Sequence, residues 1–81
     1  MLPEIQADFS NRDPDGAVRL TSIGALQDIE AHWPGKKGAE GQKVFLYDGK
    51  KATVGILRRS NFGTANFAVF LLDDPTPVEF L

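Results

Sequence analysis

The chain has 81 residues with nine basic against eleven acidic side chains, a net charge of −2, and it is 42 % hydrophobic and 25 % charged. That length sets one small domain that buries about 60–65 % of the surface its unfolded form exposes, and the composition excludes both wholesale disorder and a fibrous repeat. Cysteine is absent, which removes disulfides, thiolate nucleophiles and cysteine-based zinc or iron–sulfur sites, while the slight acidity argues against a protein that mainly wraps nucleic acid and leaves a local basic patch open.

In chain order, MLPEIQADFSNRD lacks a basic n-region and an apolar h-region, and no apolar run approaches the ~20 residues of a membrane span. The expected location is cytoplasmic. Residues 1–16 read as an extended arm closed by a turn, because Asn11, Asp13, Pro14, Asp15 and Gly16 each have a local reason to bend the chain. Residues 17–21 alternate apolar and polar, with Val18 and Leu20 on either side of Arg19, as in a short half-buried strand.

Thr21 or Ser22 can cap a helix, and Ile23, Leu26, Ile29 and Trp33 then recur at steps of three, three and four along one helical face. Pro34-Gly35 ends it after about three turns. Such a short helix, weakened further by Gly24, must pack its apolar stripe on something else, and the sheet is the natural support. Residues 35–41 contain three glycines and read as an exposed, mobile connector.

Residues 42–74 predict a β-meander. Runs at 44–47, 54–57 and 67–72 are rich in apolar and β-branched residues and are separated by Asp48-Gly49 and by Asn61-Phe62-Gly63; Asp-Gly is among the strongest hairpin signals. Pro75 and Pro77 interrupt pairing, leaving residues 75–81 as a C-terminal tail. An even-numbered loop at Asp48-Gly49 places Phe45 and Tyr47 on one sheet face with Ala52, Val54 and Ile56, while Val44, Leu46 and Leu57 fall on the other. Both faces are apolar and both need cover, by curling into a small barrel with a helix on part of its outside or by a second subunit. Gly55 in mid-strand allows the required bend.

The fold class expected is therefore α+β, mostly β: a small, strongly bent antiparallel sheet with one short helix. A short strand, a connecting segment, a tight meander and a final short strand resemble an SH3-like small barrel. GAVRLTSIGALQDIE followed by EGQKVFLYD also resembles small uncharacterised bacterial domains that run strand, helix, then an E-G-x-x-V-x-L-Y strand. That resemblance covers roughly residues 16–48 and brings no catalytic or binding motif with it.

Candidate chemistry is sparse. Asn11-x-Asp13-x-Asp15-Gly16 matches the first half of a calcium loop, but Ser22 stands where the bidentate glutamate belongs, and an Asx-rich turn accounts for the same residues. His32 is the single histidine, with Asp28 four residues earlier, too few groups for a catalytic metal, which needs three protein ligands. The glycine-rich connector with Lys36 and Lys37 matches no phosphate-binding pattern. No catalytic residue, cofactor or metal is assigned, and an enzyme is not expected.

Two surfaces remain. Trp33, Tyr47, Phe62, Phe70 and Phe80 are aromatic types that anchor protein interfaces when exposed, although a domain with eight aromatics, six of them Phe, needs most of them for its core. Lys50, Lys51, Arg58, Arg59 and Phe62 are a basic and aromatic set of the kind a small barrel can use on single-stranded RNA or DNA, although Arg58 and Arg59 point to opposite faces of a regular strand and share one patch only if the strand is frayed there. The expected role is a protein-interaction module or accessory subunit, self-association included, with nucleic-acid binding as the alternative.

Overall fold

The computed structural model describes residues 1–63 and 66–80; the side chain of Phe80, named above, and Leu81 lie outside the described residues. Its elements are β1 (Glu4–Gln6), β2 (Val18–Leu20), α1 (Ile23–His32), β3 (Lys43–Tyr47), β4 (Lys51–Arg59), β5 (Phe67–Leu71) and β6 (Thr76–Pro77), with 3-10 turns at Pro34–Lys36 and Val78–Phe80. The sheet order is β1-β3-β4-β5-β2, with β6 also paired to β4. The result is a strongly curled, open half-barrel, α+β and mostly β.

The meander forms with the even register. Tyr47 faces Ala52, Phe45 faces Val54 and Lys43 faces Ile56, with Gly49 at φ 98° in the turn, a conformation that side chains with a Cβ seldom adopt. Asp48 holds that turn by accepting the amides of Lys51 at 2.7 Å and Lys50 at 2.8 Å. Pairing of β5 covers Gly55 to Arg59 of β4, and β6 takes up Lys51 and Ala52 on the same side. The tail is thus partly a strand, which returns to β4 after an irregular excursion that Thr53 pins by donating its hydroxyl to the Asp73 carbonyl at 2.8 Å.

Alternation assigns the faces. Ile5, Val18, Leu20, Val44, Leu46, Leu57, Phe67 and Val69 lie on the inner face and are fully buried with Ala25 and Ile29 of α1. Each of the larger of these contributes about 1.5–3 kcal/mol relative to exposure. Gly55 is buried among them, where β4 and β5 approach so closely that a Cβ would meet the Phe70 carbonyl oxygen at 2.8 Å.

Three local expectations change in the tertiary setting. Within the segment read as an arm, β1 lies parallel to β3, with Ile5 opposite Leu46 and 0 % exposed. Helix α1, capped by Ser22 Oγ on the Ala25 amide, buries Ala25 and Ile29 and half-buries Trp33, whereas Ile23 is 75 % and Leu26 39 % exposed. The buried face of the helix runs through Ala25 and Ile29, so the stripe is rotated away from Ile23 and Leu26. In the glycine-rich connector, Ala39 is fully buried, and the Gly41 amide donates to the Leu57 carbonyl at 2.7 Å. The connector is anchored to the sheet.

Both outer edges of the five-strand path are engaged. Beyond β1, the Gln6 amide donates to Asp28 Oδ2 of α1 at 2.8 Å. Beyond β2, the Arg19 amide donates to the Asn11 carbonyl at 2.9 Å and Asn11 Nδ2 donates back to the Arg19 carbonyl at 3.2 Å. Pro77 has no amide to offer at β6. No helix among the described residues is long and apolar enough to cross a membrane.

Candidate functional site

The second face of the sheet carries three cross-strand rows. Lys43, Ile56 and Phe70 form one; Glu4, Phe45 and Val54 the next; Gln6, Tyr47, Ala52 and Thr76 the third. Phe45, Tyr47, Val54, Ile56 and Phe70 are only half-buried, and Leu72, one residue beyond β5, is 53 % exposed. The inner face takes the helix, so among the described residues this outer face keeps a contiguous apolar centre in contact with solvent. Apolar patches of this kind mark interaction sites more often than isolated exposed residues do.

Its two halves differ in charge. One half holds an open depression of about 780 Å³ lined by Ile56, Phe70, Leu72, Arg58, Arg59 and Glu40 among others, and Lys43 lies across from Ile56. The other half is a depression of about 440 Å³ where Phe45, Ala52 and Val54 meet Asp73, Asp74 and Thr76. Arg58 is exposed and makes no ion pair among the described residues.

No known family, curated protein or solved structure matches the chain. What the surface does must therefore follow from its own geometry.

The residues named from the sequence separate. Trp33 packs against the core, with its ring 5.6 Å from that of His32. Tyr47 and Phe70 lie on the outer face; the Tyr47 hydroxyl donates to the Gly49 carbonyl at 3.3 Å. Phe62 is 53 % exposed in the β4–β5 connection. Lys50 and Lys51 lie beside one end of β4 and Arg58 and Arg59 at its other end, about 26 Å apart along the strand at 3.3 Å per residue. They do not form one patch. The strand is regular through Arg59, so the two arginines point to opposite faces: Arg59 lies 4.3 Å over the Phe67 ring and pairs with Glu40 at 2.9 Å, while Arg58 lies on the outer face opposite Ala68.

The outer-face residues missing from that set are Phe45, Val54, Ile56 and Leu72. Their signal was present in the double-sided apolar pattern of the meander.

At the basic end a polar latch holds two loops. Asp13 is 3 % exposed; its Oδ1 accepts from Arg19 Nε at 2.7 Å and Nη2 at 2.6 Å, and its Oδ2 accepts from the Ser60 hydroxyl at 2.6 Å. Ser60 Oγ in turn accepts the Phe62 amide at 3.1 Å, and Asn61 Nδ2 donates to Asp15 at 3.2 Å. The Ser60 hydrogen bond, and then Arg19, hold the Asp13 carboxyl below the ordinary carboxylate value against the opposing effect of burial. Asp48 is lowered by the Lys51 and Lys50 amides, and Asp8 by the Ser10 hydroxyl and amide. Asp13 of the calcium-like run is thus engaged by protein donors, and Asp28 serves the β1 edge through the Gln6 amide.

Proposed function

We propose that this protein is a non-enzymatic interaction module or accessory subunit of the cytoplasm whose contact surface is the outer face of the sheet. The observation that carries the reading is the solvent-facing apolar centre of Phe45, Val54, Ile56, Phe70 and Leu72 beside sheet edges that are already engaged. Engaged edges disfavour recognition by strand addition, which leaves face-to-face burial as the mode with free-energy gain. We read the curl, the single helix and the tight meander as related to SH3-like small barrels, with the parallel β1 as a departure.

The test is capture from an extract of the producing cells by the full chain and by its Leu72→Glu variant, alongside anisotropy titrations with labelled single-stranded RNA and DNA at two salt concentrations. The expected result is a partner, own copies at high protein concentration included, whose binding survives about 0.5 M salt and is lost with Leu72→Glu, since a dry apolar contact is far less salt-sensitive than phosphate binding. Retention of nucleic acid alone, weakening steeply with salt, would replace this reading with the single-stranded nucleic-acid one.

A further inference from the structure

Resting on that reading, we infer that the occupant of the outer face is a second copy of this chain, in a two-fold symmetric dimer. A two-fold interface brings the same patch of each subunit together, so a surface suits it only when it is complementary to itself after rotation. The outer face meets that condition. Its apolar centre at Val54 and Ile56 lies between a half edged by Arg58 and Lys43 and a half edged by Asp73 and Asp74.

Along β4, Arg58 stands beyond Ile56 on one side, and the acidic pair lies level with the Ala52–Val54 stretch on the other. Rotation by 180° about an axis that lies in the plane of contact and crosses β4 at its centre therefore sets each copy's Arg58 half against its partner's Asp73-Asp74 half, and the contact is made twice. The same rotation stacks the apolar centre on itself. A partner with a uniformly charged surface would meet one half with like charge. Lys51 does not disturb the arrangement, because strand alternation turns it to the other face, and it lines a separate depression with Asp8, Ser10 and Arg12.

The size of the face sets the strength. Four strands at about 4.8 Å spacing and six residues at about 3.3 Å give a footprint of roughly 20 × 20 Å. This is small beside the standard interface of about 800 Å² per partner, so the dimer is a weak one that forms at high protein concentration.

The experiment is a charge exchange read by sedimentation velocity or light scattering over about 20 µM to 1 mM, the range a small interface requires. Wild type should move from monomer to dimer mass across it. Arg58→Glu and the double variant Asp73→Lys/Asp74→Lys should each weaken association by about a hundredfold, roughly tenfold for each of two equivalent contacts turned from attraction to repulsion. Mixing the two variants should restore the dimer, because in the mixed pair both contacts are again between opposite charges. Ile23→Ser, at the exposed helix position, should leave it unchanged.

A monomeric wild type at the highest concentration overturns the second-copy assignment, as does a dimer that Ile23→Ser abolishes or that the charge variants leave intact. If wild type stays monomeric while Leu72→Glu still removes a captured protein, the assignment fails and the interaction surface stands. If Leu72→Glu changes neither dimer mass nor capture, both fail.

Discussion

Replacing Gly55 by alanine sets backbone preference against packing. In a strand, alanine is favoured over glycine by about 0.5–1 kcal/mol because less backbone entropy is lost. At Gly55, however, an added Cβ would collide with Val69 Cγ1 and lie 2.8 Å from the Phe70 carbonyl oxygen and 3.3 Å from its carbon. Two of these three neighbours are main chain of β5 and cannot rotate aside, so β4 and β5 must separate. Overpacking costs about 1–3 kcal/mol, and with main-chain neighbours the upper part of that range, about 2–3 kcal/mol, applies, which exceeds the backbone gain and leaves a net loss of about 1–2 kcal/mol.

Urea unfolding followed by Trp33 fluorescence measures it. With a slope of about 1–2 kcal/mol per molar for so small a domain, the midpoint should fall by about 1 M. Adding Val69→Ala removes the Cγ1 collision but leaves the carbonyl contact, so the double variant should be less destabilised than the sum of the singles by about 0.5 kcal/mol or more. A midpoint unchanged or raised by Gly55→Ala would refute the close approach of β4 and β5, and with it the bend assigned to this position.

Gly24→Ala should behave oppositely. Its Cβ would displace only the far end of the flexible Gln6 side chain, so the helix-propensity gain of up to about 1 kcal/mol survives and the urea midpoint should hold or rise. Ser60→Ala deletes the hydroxyl between Asp13 and the Phe62 amide and should cost about 1–3 kcal/mol at pH 7 for the polar groups left unpaired. It should also flatten the acid limb of stability. Between the folded and unfolded pKa values of a depressed carboxyl the unfolded state binds more protons, so the contribution of Asp13 is fully present above about pH 4 and is lost as pH falls below it. Thermal midpoints of wild type and variant between pH 7 and 3 should therefore converge on the acid side; parallel curves would show that Ser60 does not set the Asp13 titration.

Much of the local structure was legible because its causes lie close together along the chain. Ser22 is followed by a helix, Asp48-Gly49 closes an even-register hairpin, and the alternation from Val44 to Leu57 assigns both sheet faces. The candidate surface was half legible for the same reason: Tyr47 and Phe70 could be named, and the doubly apolar meander signalled a face in need of cover. Of the basic set, Lys50 and Lys51 lie at one end of β4 and Arg58 and Arg59 at the other, and alternation turns the two arginines apart.

Patterning and turn chemistry, which act between neighbours in the chain, determined the meander, the helix and which residues share a sheet face. Only the tertiary structure decided which sheet face is inner, that Ile5 lies parallel beside Leu46, that α1 buries Ala25 beside Ile29 while Ile23 and Leu26 stay exposed, and that Asp13 is locked by Arg19 and Ser60. Each of these depends on partners distant in sequence whose shape and hydrogen-bonding capacity become available only when the sheet has curled. The open outer face is the remainder of that curling, because one helix can cover only one side of a two-sided apolar sheet.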